Sequence, residues 1–217
     1  MKRILFVTLS VLLAFTAGST VWYIDKLHNE RADKAAHTVK TLESATDMAV
    51  LEKLKQTAFA AKEYAASHHF NTQYCFLVDM DIASGKQRFF VYDLKQGKIE
   101  MAGLVTHGRC NQNWLAGRKY GNEVGCGCTS LGRYKVGNPY QGKFGLAYKL
   151  YGLDTSNSNA FNRFVVLHSH SCVPEKETDP SPICQSDGCP TVSPGFLQQL
   201  AGIIDKSTAP ILLWIYN

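Results

Sequence analysis

The stretch YCFLVDMDIASGKQRFFVYDLKQGKIEMAGLV, Tyr74 to Val105, decides the fold class. It contains three short runs rich in β-branched and aromatic residues: Tyr74–Met80, Gln87–Tyr92 and Lys98–Val105. Ser84-Gly85 and Gln96-Gly97 separate them, and polar pairs with glycine favour turns. Short strands joined by tight turns read as a β-meander. Further strands are expected at Phe144–Tyr151 and Phe161–His168. Ser193-Pro194 then opens a helix, with serine as N-cap and proline at the first helical position. Phe196, Leu197, Leu200, Ile203 and Ile204 give that helix an apolar face. After Ala209-Pro210, Ile211–Tyr216 reads as a buried strand that closes the sheet. Residues 73–217 are therefore expected to form a mainly β domain with few helices.

Composition agrees with a folded chain. Of 217 residues, 45% are hydrophobic and 19% charged, which excludes disorder throughout. The net charge is +5. Lys and Arg outnumber Asp and Glu by 9 to 7 over residues 1–72 and by 14 to 11 over residues 73–217. The excess is spread along the chain, so nothing points to nucleic acid. Sixteen of the 17 glycines follow residue 84, marking a change of organisation near that point.

Upstream of the meander, residues 25–72 read as a helical spacer or as a helix packed on the domain. Asp25 to Ala66 lack glycine and proline, which suits a helix. Val50, Leu51, Leu54, Ala58, Phe59, Lys62 and Ala65 form its expected face, with the Lys62 stem lying along it. Residues 1–24 begin with Met1-Lys2-Arg3 and continue as an uncharged, mostly apolar run from Ile4 to Ile24. That pattern is a secretion signal or a membrane anchor. Either reading puts the remainder of the chain outside the cytoplasm.

The chemistry is concentrated in FNRFVVLHSHSCVPEKETDPSPICQSDGCPTVSP, Phe161 to Pro194. Strand alternation puts Phe164, Val166 and His168 on one face and Arg163, Val165 and Leu167 on the other. Cys189 follows His168 by 21 residues, within Ser186-Asp187-Gly188-Cys189-Pro190. Glycine before cysteine permits a tight turn and lets a carbonyl approach the adjacent N–H groups. A thiol that reacts near neutral pH needs a base or a cation, and histidine titrates in that range.

These residues resemble the L,D-transpeptidase (YkuD-like) catalytic domain family, in the branch of murein L,D-transpeptidase catalytic domain proteins. The resemblance covers about residues 74–217 and rests on several stretches in order. They are Leu77-Val78-Asp79-Met80, Arg88 to Leu94, Gly103 to Gly108, Thr129 to Tyr134, Tyr140 to Gly145, and Ser186 to Pro190. It implies an L,D-transpeptidase-like β-sandwich or barrel, with Cys189 as nucleophile and His168 as base. It further implies Ser186 as the motif serine, with Gly188 and the Cys189 N–H as parts of an oxyanion hole. Ser169 then orients the imidazole or shapes the acyl pocket, and His170 is a rival base. The substrate class implied is the peptidoglycan stem peptide, handled outside the cytoplasm in the periplasm or cell envelope without a cofactor. The sequence departs from the wider family at Asp187, Ser169 and Pro190-Thr191. Asp187 is expected to point away from the thiol, because its charge would oppose thiolate formation. His107, Arg133 and Tyr134 are further candidates for substrate contact.

His168, His170, Cys172, Cys184 and Cys189 could instead ligate zinc, but the chain has no Cys-x-x-Cys pair, so no metal is expected. Seven cysteines leave six to pair if Cys189 stays free. Cys172–Cys184 is the expected bridge across the proline-rich loop, and Cys110 is expected to pair with Cys126 or Cys128. Two other functions remain open. One is an L,D-carboxypeptidase of the same fold, and the other is a disulfide-stapled wall-binding module without turnover.

Overall fold

A computed structural model of the chain describes Lys26 and residues 48–217. The expected signal or anchor over residues 1–24, and residues 27–47 of the spacer, lie outside the described residues. Among the described residues no helix is long and apolar enough to cross a membrane. Residues Lys53–Asn217 form one compact unit.

The fold is mainly β. Helix α1 (residues 48–67) is followed by β1 (Tyr74–Asp79), β2 (Phe89–Asp93), β3 (Lys98–Gly103), β4 (Gly132–Gly142) and β5 (Gly145–Gly152). After a 3-10 turn come β6 (Val166–Ser169), β7 (Thr191–Val192), α2 (Pro194–Ile204) and β8 (Leu212–Tyr216). All eight strands share one sheet in the order β3-β2-β1-β8-β4-β5-β6-β7. An isolated bridge, Val105 to Val192, links the two ends of that order and curls the sheet towards closure. This curl brings the chain after β3 against β7, where Thr106 N–H donates to the Thr191 carbonyl at 2.9 Å.

Alternation along the central strands builds two cores, one on each face. Phe76, Val78, Phe89, Val91, Leu213 and Ile215 face one core, which α2 covers with Phe196, Leu197 and Leu200. Cys75, Leu77, Phe90, Tyr92, Leu212 and Tyr216 face the other, which α1 covers. Strands covered on both faces read as nearly continuous apolar runs, as β1, β2 and β8 do. Ser193 caps α2 by accepting from Phe196 N–H, and Pro194 holds the first helical position.

Four details depart from the sequence reading. The buried stripe of α1 is Leu54, Ala58, Ala61 and Ala65, while Leu51, Phe59 and Lys62 are exposed. Alanine lets the helix approach the sheet closely, so the small residues face inward. The strand expected at Phe161–His168 starts only at Val166, because residues 161–164 form turns and Phe164 takes φ 56°. β8 does not close the sheet but lies inside it, parallel to β1 and antiparallel to β4. β4 itself carries glycine, proline and polar residues and gave no strand signal. Pairing with β5 and β8 on its two sides holds it extended.

Candidate active site

The short strand β7 positions the site. Parallel pairing sets Thr191 beside His168 of β6, so Cys189, two residues before Thr191, lies beside Val166 at the start of β6. The turn leading into Cys189 is built by Ser186. Its hydroxyl donates to the Cys189 carbonyl at 2.7 Å and accepts from Gly188 N–H at 3.2 Å. Gly188 has φ 108°, and a Cβ there would sit 2.6 Å from the Cys128 carbonyl oxygen. Only glycine meets both demands.

Cys189, His168, His170, Ser186, Thr191 and Phe144 share the lining of one cavity of about 450 Å³. His168 Nδ1 lies 3.1 Å from the Ser169 carbonyl oxygen, and Nε2 lies 3.0 Å from Thr191 Oγ1. A carbonyl only accepts, so Nδ1 carries the proton and Nε2 accepts from the Thr191 hydroxyl. The Cys189 thiol donates to the Phe164 carbonyl at 3.7 Å and accepts from Val166 N–H at 3.5 Å. Thiol and imidazole thus face one cavity while each is bonded elsewhere. The Phe144 ring stacks on His168 at 5.1 Å and meets His170 edge-on at 5.4 Å.

Burial sets the charge state of this pair. It lowers the His168 pKa, the Ser169 carbonyl partly offsets that, and His170 lowers it further. Burial also raises the Cys189 thiol pKa, which the Val166 N–H and Arg163 partly offset and Asp187 increases. Both shifts favour the uncharged forms, so the resting pair at neutral pH is a thiol and a neutral imidazole. The arrangement can pass a proton from sulfur to nitrogen when a carbonyl arrives. Among the described residues the Cys189 N–H has no hydrogen-bond acceptor, so it is available to a developing oxyanion. The Gly188 N–H, expected to share that role, is already engaged by Ser186.

The other candidates divide. His170 lines the cavity, but its Nδ1 accepts from Cys172 N–H at 3.1 Å. Asp187 is engaged by Arg109 Nε at 2.7 Å, and its side chain is largely exposed. The bridge Cys172–Cys184 is present, and both residues line the cavity. The second bridge is Cys110–Cys128. His107, Arg133 and Tyr134 do not line this cavity. His107 is buried against Arg88, with its pKa lowered to about 4 by burial, Arg88 and Arg118. Arg133 pairs with Asp154 and lies over the Tyr64 ring. Tyr134 is fully buried and donates to the Ser130 carbonyl. Arg163 donates to the carbonyls of Gly121 and Cys128 and to Ser130 Oγ. Sequence reasoning passed over Thr191 as a partner of the histidine. Alternation puts Thr191 on the side of Cys189, two residues on, and that was the available signal.

The family model described as the L,D-transpeptidase catalytic domain matches residues 45–216. No curated protein matches the chain. Among solved structures, an L,D-transpeptidase from Mycobacterium smegmatis is similar at 13% identity and TM-score 0.39, covering 67% of this chain and 59% of that one. A mutant L,D-transpeptidase of Enterococcus faecium is similar at 14% identity and TM-score 0.42, covering 66% of this chain and 50% of that one. The helical cell shape determining protein Pgp2 from Campylobacter jejuni is similar at 13% identity and TM-score 0.42, covering 66% and 47%. The chain spans about half the length of the solved structures it matches.

Proposed function

The chain belongs to the L,D-transpeptidase catalytic domain family, and on that premise we propose that it is an exported cysteine L,D-transpeptidase acting on peptidoglycan stem peptides. The observation that carries this reading is the Cys189 thiol and the His168 imidazole on one cavity, beside an unengaged Cys189 N–H. In the proposed reaction the Sγ leaves the Phe164 carbonyl and turns to His168 Nε2, displacing the Thr191 hydroxyl. Nε2 takes the thiol proton as Sγ attacks the carbonyl of the L-residue–D-residue bond. The Cys189 N–H donates to the oxyanion. The intermediate collapses, the C–N bond breaks, and His168 returns the proton to the leaving amine of D-alanine. An acceptor amine then attacks the thioester, His168 takes its proton, and the thiol is restored.

Two bridges, Cys110–Cys128 and Cys172–Cys184, support an oxidising compartment. With the basic and apolar N-terminus they favour the periplasm or cell envelope as its location. We assign residues 1–24 to export or anchoring and 73–217 to catalysis; of the 25–72 spacer, Leu54, Ala58, Ala61 and Ala65 pack on the catalytic domain.

Product analysis tests the proposal. Purified protein mixed with stem tetrapeptide is expected to release D-alanine and form crosslinked dimers. Release without dimers identifies an L,D-carboxypeptidase in which water resolves the thioester. No release at all contradicts the enzyme reading and leaves the binding module.

Thr191 supplies a narrower prediction. Its hydroxyl donates in the resting site to His168 Nε2, the atom that must take the thiol proton, so Thr191→Val, which removes that competing bond, is expected to raise kcat about three- to tenfold, as loss of one net resting-state hydrogen bond implies. KM should hold. Thr191→Ser, which keeps the hydroxyl, is expected to keep the unaltered rate, and the same rise in that variant assigns Thr191 to packing alone.

A further inference from the structure

A second sulfur cluster lies outside the catalytic cavity, on the loop between β3 and β4. Cys110, Cys126 and Cys128 line one cavity of about 420 Å³ together with Tyr120 and Asn122. Cys110 and Cys128 are bridged, while Cys126 is a free, half-buried thiol. Cys110 N–H donates to the Gly127 carbonyl at 2.9 Å, so Cys110 stands opposite the middle of Cys126-Gly127-Cys128. A cysteine flanks it on each side. Glycine at 127 makes this approach possible, since a Cβ there would sit 2.6 Å from Asn111 Oδ1 and φ is 63°. The Cys128 N–H donates to Cys126 Sγ at 3.4 Å. Cys126 Sγ and Cys128 Sγ both crowd Gly121, at 3.4 and 3.6 Å from the position of a Cβ on that residue. The free thiol is thus held beside the bridge and reaches solvent through the same cavity.

We propose that Cys126 is a resolving thiol for this bridge, so that the loop carries two interchangeable disulfides, Cys110–Cys128 and Cys110–Cys126. The Cys126 thiolate attacks Cys110 Sγ, the Cys110–Cys128 bond breaks, and Cys128 leaves as a thiolate. Cys128 takes up the proton that Cys126 released. One S–S bond forms and one breaks, so no oxidant or reductant is needed. The exchange bears on the catalytic cavity. The Cys128 carbonyl accepts from Arg163 Nη2 and packs against Gly188, one residue before Cys189. Moving the bridge to Cys126 frees the Cys128 side chain and loosens that support.

Disulfide mapping of the full chain tests the exchange without reference to transpeptidation. The protein is held at about pH 6 or pH 8 and quenched with acid. Free thiols are then capped with N-ethylmaleimide, and trypsin separates residues 110–118 from 120–133 except through a bridge. Two isomers of the bridged pair are expected, one capped at Cys126 and the other at Cys128. The Cys128-capped form should appear faster at the higher pH, because thiolate is the attacking species. Capping at Cys126 alone after prolonged incubation at the higher pH overturns the proposal. Cys128→Ser is expected to form the Cys110–Cys126 bridge, and a capped Cys110 in that variant also overturns it. If Cys128→Ser does not fold, the isomer count in the unaltered chain decides. Cys126→Ser is the control and gives a single isomer.

Discussion

Cys189→Ala is expected to lower both D-alanine release and crosslinking by about 10⁴-fold or more, the scale for losing a catalytic nucleophile. No neighbouring group can take over. The hydroxyls of Ser186 and Thr106 donate to the Cys189 carbonyl, and that of Thr191 is committed to His168. Each is a weaker nucleophile than a thiol and is held in another bond. The fold should survive the change, because the hydrogen bonds of the Sγ among the described residues are two long ones, to the Phe164 carbonyl and the Val166 N–H. The thermal midpoint is therefore expected to stay close to that of the unaltered chain, which separates lost chemistry from lost folding. Activity retained in a folded Cys189→Ala variant would falsify the thioester mechanism.

His168→Gln should lower kcat by about 10²- to 10⁴-fold, the usual contribution of a general base, and change the form of the pH profile. The sign follows from the two shifts. His168 works as a base only when neutral, and burial together with His170 lowers its pKa below the ordinary histidine range. The rate of the unaltered enzyme should therefore fall on the acid side, through that lowered pKa, and be level at neutral pH. With glutamine no imidazole remains to titrate at that position. Attack then depends on spontaneous thiolate, which burial of Cys189 makes scarce. Residual activity should climb continuously as pH rises towards the raised thiol pKa. The same pair of effects in His170→Gln, with His168→Gln nearly unaffected, would transfer the role of base to His170. The existing bond from Cys172 N–H to His170 Nδ1 argues against that outcome.

The parts of the fold that sequence reading finds are those fixed by local pattern. In β1, Phe76 and Val78 alternate with Cys75 and Leu77, and each pair enters a different core. Ser193-Pro194 marks α2 because capping is a local event. β4 escapes the same reading. Gly132, Gly137, Pro139 and Gly142 have low strand preference, and long-range pairing to β5 and β8 overrides it. The late start of β6 is equally non-local. Phe164 is exposed with a left-handed backbone, a conformation that no pattern of apolar residues signals.

The site divides in the same way. Cys189 and His168 are legible because their motif stretches resemble a known family. The engagement of His168 with Thr191 depends on the parallel register of β6 against β7, which a two-residue strand cannot announce. Arg133 and Tyr134 lie in a stretch that carries the resemblance, yet the structure gives them to Asp154 and to the core. The two bridges differ as well. Cys172 and Cys184 flank one loop and suggest each other, whereas Cys126 and Cys128 are equivalent partners for Cys110 until the loop is folded.

The central claim is a covalent thioester on Cys189, and intact-protein mass spectrometry with peptide mapping reaches it most directly. Mixed with stem tetrapeptide and quenched in acid within the first turnover, the protein is expected to carry the mass of the acyl tripeptide on Cys189, with one equivalent of D-alanine released for each adduct. An unmodified Cys189 while D-alanine accumulates, or an adduct on another residue, contradicts the account.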